Sequence, residues 1–473
     1  MKTILPNKVA NLQVSNATTW FIRFIESRLF IRCVFLYFIA QTTYMALTTR
    51  LGIAPDEIYH YDFIELFSSK GWSPFLRDQE NYYSLGLLIR TPFYLYHYLL
   101  SLPFHFFGGT SHDYIILRMI NIAMGCCSLY IIFAISNALS IKPLARNISI
   151  FMLSNTLMFV FLSASINYDN LFILLSLLAV YYTIQLWKNF TAVHLTLLLI
   201  VLISGCMVKI SFLPIGLTIA FVLIIRYIKT PSVLWKCWRS VKSWRTSAIL
   251  LTLLGILLVP FVKSYALNFL DFRTFTPSCT DVLTTEQCRQ SFGFRRSEEL
   301  DKISTPMATL GNIEYFAAWV RIMSERTFGI LGYNSISGFR PMLSAIQVWA
   351  FLGIVAIIRH IKKQDVLMII CLAVSGVYIF TLLRQNHSTY QGSGMIGLAV
   401  QGRYAFAVLP LVYVIANHFI LKMFNKQLLQ SAYILITILI FTAASLPTFV
   451  HKTDDKWRDQ PADTNTEQIA PAG

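Results

Sequence analysis

Long apolar segments separated by short basic loops constrain this chain more than any other feature of its sequence. A helix needs about twenty consecutive apolar residues to cross a bilayer. We find eleven such segments, near residues 28–48, 114–138, 145–163, 170–187, 193–208, 210–227, 246–264, 342–358, 366–384, 404–421 and 430–449. The sequence therefore predicts an all-α polytopic membrane protein, a bundle of about 11 transmembrane helices.

The composition agrees with a membrane protein and argues against a nucleic-acid-binding protein. The chain is 56% hydrophobic and 13% charged, whereas a soluble domain has about a quarter of its residues charged. A net charge of +16 could indicate nucleic-acid binding, but the basic residues concentrate in loops between apolar segments. We therefore expect the lipid bilayer as a partner and no nucleic acid. The chain has no internal repeat at a fixed period, which disfavours an inverted-repeat transporter.

Loop charges orient the chain. Cytoplasmic loops are rich in Lys and Arg, and four loops fit that description: 142–146, 226–245, 359–363 and 422–426. With a cytoplasmic N-terminus and eleven crossings, all four lie inside. Counting the aromatic segment 92–107 as a further crossing would put all four outside, so we expect it to form an amphipathic helix in the outer interface. The interrupted segment 313–331 is kept outside by the same argument.

This topology divides the chain into three parts. We expect residues 1–27 to be a cytoplasmic N-terminus and residues 28–450 a single transmembrane domain with outer loops 51–113, 265–341 and 385–403. Residues 451–473 are polar and are expected to be a disordered outer tail. Cys279 and Cys288 lie in the longest outer loop, and a disulfide between them is expected if that loop faces an oxidising compartment.

Two acids follow the first apolar segment directly. Pro55 suits the first position of a short helix, whose positive end would favour Asp56 and Glu57. In such a helix His60 lies one turn from Asp56 on the same face. Ionised groups near membrane depth are costly and are therefore candidates for function. The alternative is an acidic helix start in solvent.

Other polar groups are expected on the same outer face. They are Arg118 inside the second segment, Asn167, Tyr168 and Asp169 at the start of the fourth, Lys209 in a turn, and Arg403 with Tyr404 at the start of the tenth. The alternative for the cations is anchoring at the lipid headgroups.

Acids and cations together at one membrane face indicate a type of chemistry. Cations at this depth suit a lipid phosphate, and a carboxylate can act as general base for an incoming hydroxyl. The chain has no Walker or Rossmann motif to hold a nucleotide, so energy must arrive in the donor. The pattern therefore indicates group transfer from a lipid-phosphate donor to an alcohol. The alternative is a transporter or flippase of a lipid-linked sugar.

The order of these motifs resembles a known group. Pro-Asp-Glu-x-x-His after the first segment, Asn-Tyr-Asp, an outer Lys and Gln-Gly-Arg-Tyr before a late segment resemble a family of bacterial membrane proteins. That family belongs to the GT-C glycosyltransferase superfamily, with protein O-mannosyltransferases and the lipid A aminoarabinose transferase. The stretch from Phe107-Gly108-Gly109 through Arg118 to Gly125 is similar to the superfamily pattern before its second span. The resemblance covers residues 25–450.

The resemblance implies an inverting transferase with a GT-C-like bundle and outer juxtamembrane helices, acting on a polyprenyl-phosphate sugar such as one on undecaprenyl phosphate. The role of catalytic base falls on Asp56, with Glu57 second. Arg403 is expected to bind the donor phosphate, and Lys209 and Arg118 are weaker candidates. Substrate contacts are expected from His60, Asn167, Tyr168, Asp169 and Tyr404.

The resemblance also implies partners and a location. The acceptor would be a hydroxyl of a cell-envelope glycan or glycolipid, for example in O-antigen glucosylation of lipopolysaccharide. The protein would lie in the bacterial inner membrane with its site facing the periplasm, linked functionally to a donor-making synthase and a flippase. No cofactor is required by this chemistry. The extra acidic cluster of the aminoarabinose transferases has no counterpart here, which leaves a need for a divalent metal open.

Overall fold

Helices dominate the structure. A computed structural model describes residues 18–69, 94–110, 112–228, 244–275, 277–289, 298, 310–330, 335–362 and 365–458. Within these residues, extended segments pair only as isolated bridges, Thr49 with Arg458 and Ile330 with Ile336. The prediction of an all-α polytopic membrane protein is confirmed.

The described residues of the first half of the chain form ten helices, numbered here in chain order. They are α1 (18–26), α2 (Arg28–Thr48), α3 (Glu57–Ser69), α4 (Leu95–Phe107), α5 (Asp113–Ala138), α6 (Pro143–Ser154), α7 (Leu157–Ser163), α8 (Asp169–Lys188), α9 (Ala192–Val208) and α10 (Leu213–Tyr227).

The part of the second half that the structure describes adds nine helices and a 3-10 turn, Gly402–Ala407. The helices are α11 (Trp244–Phe272), α12 (Cys279–Val282), α13 (Thr285–Cys288), α14 (Asn312–Phe328), α15 (Arg340–His360), α16 (Val366–Ser393), α17 (Leu409–Met423), α18 (Gln427–Ala444) and α19 (Leu446–Lys452).

Every predicted apolar segment falls on a helix. Among the residues that the structure describes, eight helical stretches are long and apolar enough to cross a membrane. Helices α6 and α7 together make a ninth, bent by 67° at its break, and α9 and α17 are shorter apolar helices. The bend follows Ser154, where Asn155 and Thr156 turn their side chains onto backbone carbonyls of the preceding turn. These stretches coincide with the predicted segments, and the count of eleven crossings stays a prediction.

The two segments placed outside the membrane by loop charge are also helical. Helix α4 packs against α3 and buries Tyr96, Leu100 and Phe104, while Phe106 is 79% exposed. Helix α14 buries Trp319 and leaves Arg321 in the open. Neither is among the helices that are long and apolar enough to cross a membrane, which agrees with a juxtamembrane position for both.

The tail prediction is wrong for residues 451–458. Helix α19 runs to Lys452, and Trp457 is 4% exposed, packed against Phe161 and Phe449. The Arg50 amide donates a hydrogen bond to the Trp457 carbonyl, 2.9 Å. One large aromatic side chain thus ties this segment to the end of α2, a local effect that the polar composition hides. Residues 459–473 lie outside the described residues.

The structure pairs Cys279 with Cys288, whose sulfur atoms are 2.11 Å apart. Short helices α12 and α13 each begin at a capping box, started by Ser278 and Thr284. These caps set the turn that brings the two thiols together.

Orientation can be tested with single cysteines added on opposite faces. Ser388 near the end of α16 and Asn425 between α17 and α18 are exposed. We expect an impermeant maleimide to label Ser388→Cys in intact cells and to spare Asn425→Cys until the membrane is permeabilised. The parent chain gives the background from its own cysteines. Labelling of Asn425→Cys alone would reverse the orientation.

Candidate functional site

The first loop turns sharply before α3. That helix begins at Glu57, so the expectation that Pro55 starts it is wrong. Asp56 precedes the helix with φ of 61°, a left-handed conformation that Asp tolerates better than most residues. The His60 amide donates to the Asp56 carbonyl, 2.9 Å. The turn therefore directs the Asp56 side chain away from the helix that follows.

Glu57 and Arg118 form a buried ion pair. Arg118 Nε lies 2.9 Å from Glu57 Oε1, and Arg118 Nη2 lies 2.8 Å from Oε2. Both side chains are at most 1% exposed. The Ile166 and Gly52 amides donate to the same carboxylate at 3.0 and 3.1 Å. Both Glu57 oxygens are therefore occupied, and solvent does not reach them.

The same arginine caps a helix. Arg118 Nη1 donates to the carbonyls of Ala46 and Thr49, each at 2.7 Å, at the C-terminal end of α2. Those carbonyls have no partner within the helix, and a cation there also suits the helix dipole. Glu57 and Arg118 thus join the end of α2, the first loop, α5 and the segment before α8. This geometry gives them a positioning role and does not fit the expectation that either contacts substrate.

Arg403 lies between two carboxylates. Its Nη2 is 2.6 Å from Asp56 Oδ2, and its Nε is 3.3 Å from Asp169 Oδ2. Its Nη1 is 3.5 Å from the Pro55 carbonyl. The Arg403 side chain is 2% exposed, whereas that of Asp56 is 47% exposed. Asp56 is therefore the member of this group that an incoming molecule meets first.

Lys209 completes the cluster. Its Nζ is 2.7 Å from Asp169 Oδ1 and 3.9 Å from the centre of the Tyr404 ring. The ring of Tyr168 lies on another side at 4.6 Å. The lysine side chain is 12% exposed. Asp169 thus holds two cations side by side, one on each oxygen.

Asn167 fixes the start of α8. Its Nδ2 donates to the Pro55 carbonyl at 3.1 Å, and its Oδ1 accepts from the Asp169 amide at 2.8 Å. One side chain therefore connects the first loop to the N-terminal turn of α8. It is fully buried, so it positions Asp56 and Asp169 and does not fit a substrate contact.

Gly402 allows the Arg403 segment to approach α14. A Cβ atom at this position would collide with the backbone of Arg326 and Thr327. Arg326 in turn donates through Nη1 to the carbonyls of Gly397 and Val400. The glycine of Gln-Gly-Arg-Tyr is thus needed for a close backbone contact that sets the position of Arg403.

His60 pairs with His97, which was not among the site residues predicted from the sequence. His60 Nδ1 and His97 Nε2 are 2.9 Å apart, in α3 and α4. Both side chains are buried, and the ring of Tyr168 packs edge-on against His60. Burial lowers the pKa of His60 well below its usual value, and the neighbouring His97 adds to the effect. Burial alone lowers the pKa of His97 to about 3.

These imidazoles predict a pH dependence of stability. They stay neutral in the folded protein, whereas in the unfolded chain they bind protons below about pH 6.5. The unfolded state then holds more protons, so stability falls as the pH drops. Between pH 7 and 5 we expect a loss of about 2 kcal/mol for each imidazole that stays neutral. The melting temperature should therefore change less between pH 7 and pH 5 in His60→Asn/His97→Asn than in the parent. An equal change in both proteins would refute the conclusion that these imidazoles stay neutral in the folded state.

The structure brings together most of the predicted residues. Asp56, Asp169, Lys209, Arg403 and Tyr404 surround one point, with Tyr168 beside them. Glu57, Arg118 and Asn167 support that point from behind, and His60 is buried next to it. The sequence signal for His97 was that it is one of two histidines, with His105, in an aromatic-rich segment.

Comparison with known proteins adds no assignment. No protein-family model matches the chain, and no curated protein matches it. Among the described residues no three His, Cys, Asp or Glu side chains are grouped to hold a metal ion, and the question of a divalent metal stays open. The function of this chain is therefore inferred from the geometry of the cluster.

Proposed function

We propose that this chain is an inverting glycosyltransferase that moves a sugar from a polyprenyl-phosphate donor to a hydroxyl of a cell-envelope glycan or glycolipid. One observation supports this proposal above the others. A half-exposed carboxylate, Asp56, contacts the buried guanidinium of Arg403 at one end of the helix bundle. Asp169 holds Arg403 beside a second cation, Lys209, whose side chain is 12% exposed. A base and a phosphate-binding pair are the groups that such a transfer needs.

Asp56 suits the role of general base better than its neighbour. One of its oxygens contacts Arg403, and the other has no hydrogen-bond partner among the described residues. Glu57 has both oxygens occupied and no exposed surface. Because a base must reach the proton that it removes, the role falls on Asp56, and Glu57 positions it.

The charges of the cluster favour the reaction in a defined way. Two cations face two carboxylates, so the resting site is neutral. When Asp56 takes the proton of the acceptor hydroxyl, its negative charge disappears, and Asp169 is then the one charged carboxylate of the cluster that faces Arg403. At the same moment negative charge grows on the leaving phosphate. Arg403 and Lys209 can then stabilise that phosphate in a site with little water.

The bond changes balance without another reactant. The acceptor oxygen forms a bond to the anomeric carbon while the bond from that carbon to the phosphate oxygen breaks. The hydroxyl proton moves to Asp56, and the electron pair of the broken bond leaves with polyprenyl phosphate. Attack from the face opposite the leaving group inverts the anomeric configuration. Positioning and electrostatic stabilisation supply most of the rate in this scheme.

The donor must displace Asp56 from Arg403 to reach it. Arg403 is almost fully covered, and Lys209 is the more exposed of the two cations. A phosphate would therefore meet Lys209 first and then compete with Asp56 for the guanidinium. This exchange would free the base at the time that the donor is bound.

Arg403 contributes the geometry of its guanidinium group as well as its charge. Arg403→Lys keeps the cation but cannot contact Asp56 and Asp169 at once. We expect about a hundredfold loss in transfer rate, the order found when one oxyanion donor is removed. Arg340→Lys, at an exposed position at the start of α15, is the matched control and should be unchanged. Near-parent transfer by both Arg403→Lys and Arg403→Ala would leave Arg403 as a packing residue.

The proposed function has a direct test. Purified protein is incubated with a set of polyprenyl-phosphate sugars and envelope glycolipids, and release of polyprenyl phosphate is measured. We expect consumption of one donor, and more when its acceptor is present. Movement of an intact lipid-linked sugar across a vesicle membrane without cleavage would instead establish the transporter alternative.

Polar groups deeper in the bundle bind one another and are not free to contact a transported molecule, which favours a transferase over a transporter. Asn417 contacts Ser149, Trp349 and Tyr433, and Tyr413 contacts Thr156. These buried groups satisfy one another, as expected for packing. We place the site on the periplasmic face of a bacterial inner membrane, and the labelling experiment above tests that placement.

A further inference from the structure

A second polar region lies at the opposite end of the bundle. Helix α5 carries Arg118 near its start, behind the cluster, and runs for 26 residues, about 39 Å at 1.5 Å per residue. Beyond its far end is a cavity of about 550 Å³. It is lined by α1, the turn between α5 and α6, the end of α17 and the start of α18. Three segments far apart in sequence therefore build it.

The cavity is strongly basic. Arg23, Lys142 and Lys422 line it, with His418 beside them and Glu26 as the opposing acid. All three cations are exposed, and none forms an ion pair within the part of the chain that the structure describes. The positive charge of these side chains is therefore available to a ligand.

Backbone donors add to this charge. Helix α6 begins with Pro143 and has no side-chain cap. Leu144 and Ala145 belong to its first turn and line the cavity, and backbone amides in the first turn have no partner within the helix. An anion in the cavity would meet these donors and the positive end of the helix dipole.

The cavity lies where lipid headgroups would be. Trp20 on α1 is 69% exposed and stacks on Phe24 with ring centres 5.9 Å apart. Exposed tryptophans are typical of the membrane interface. The loops that line the cavity are two of the four basic loops assigned to the cytoplasm. In that topology the cavity opens toward the headgroups of the inner leaflet.

We propose that this cavity binds the phosphate headgroup of an anionic phospholipid from the cytoplasmic leaflet. Clustered basic side chains at this leaflet attract anionic headgroups. Lys142 and Lys422 hold the phosphate from two sides, and Arg23 closes the site from α1. The site joins the N-terminal helix to α6, α17 and α18. It is separate from the outer cluster and does not depend on the proposed transferase activity.

The test compares two double variants of equal charge. Purified protein in neutral detergent is titrated with phosphatidylglycerol, phosphatidylcholine or inorganic phosphate, and retained lipid and melting temperature are measured. Lys142→Gln/Lys422→Gln removes two cavity cations. Arg359→Gln/Lys362→Gln removes two exposed cations from another basic loop of the same face and is the control.

We expect the parent and the control to retain phosphatidylglycerol in preference to phosphatidylcholine. The cavity variant should bind phosphatidylglycerol about ten- to thirtyfold more weakly. Equal loss in both double variants would indicate diffuse charge attraction and overturn the proposal. Equal binding of the two lipids would also overturn it. Protection by inorganic phosphate to the same extent would assign the cavity to a soluble anion instead of a lipid.

Discussion

Asp56→Asn should lower sugar transfer by about 10²–10⁴-fold, the usual effect of removing a general base. The substitution keeps the volume and the hydrogen-bonding capacity of the side chain but cannot take a proton. Donor binding should be kept or become tighter, because the variant loses the negative charge that competes with the donor phosphate for Arg403 at 2.6 Å. Single-turnover transfer and donor affinity are measured on the same preparation.

Asp62→Asn is the matched control for this experiment. Asp62 is exposed on the same helix, α3, and its loss should leave transfer unchanged. Normal transfer by Asp56→Asn would remove Asp56 as the base. Normal transfer by both Asp56→Asn and Arg403→Lys would remove the cluster from the chemistry altogether and would favour the transporter.

The grouping of the candidate site residues could be predicted from the sequence because the helices themselves impose it. Apolar segments of membrane length fix the positions of helix ends, and loop charges separate those ends into two faces. Asp56, Asp169, Lys209 and Arg403 each lie at a helix end on one face. Their contacts in the structure follow from that common level and from the close packing of the bundle.

The roles of individual residues could not be derived in the same way. Asp56 and Glu57 are adjacent and chemically alike, so their sequence gives no basis for separating them. The left-handed backbone of Asp56 turns one carboxylate outward, and the helix that starts at Glu57 turns the other inward onto Arg118. His97 was missed as a partner for His60 because pairing between α3 and α4 is a tertiary contact.

The start of the C-terminal tail, residues 451–458, is ordered although its composition predicts disorder. That prediction fails where Trp457 meets Phe161 and Phe449. One aromatic side chain can bury enough apolar surface to order a short segment. Average composition over twenty or more residues does not reveal such a contact.

Arg118→Leu should destabilise the protein by about 3–5 kcal/mol, because it leaves Glu57 as a buried charge without a partner. The change also removes the donor that caps α2 at the carbonyls of Ala46 and Thr49. We expect a lower melting temperature in detergent and a reduced yield of monodisperse protein. Arg321→Leu is the control, because Arg321 is 71% exposed and its contact with the exposed Glu325 is long, 4.0 Å. Surface ion pairs contribute about 0–1 kcal/mol, so this change should have little effect.

The double variant Glu57→Leu/Arg118→Leu distinguishes the cost of an unpaired buried charge from the cost of losing the other contacts of Arg118. Replacing a buried ion pair by apolar side chains is often close to neutral, whereas breaking it is not. We therefore expect the double variant to be more stable than Arg118→Leu alone, although still below the parent, since the α2 carbonyls stay uncapped. Its transfer activity should stay low if the ion pair positions Asp56. Parent-like melting of Arg118→Leu would show that the ion pair does not hold the first loop in place.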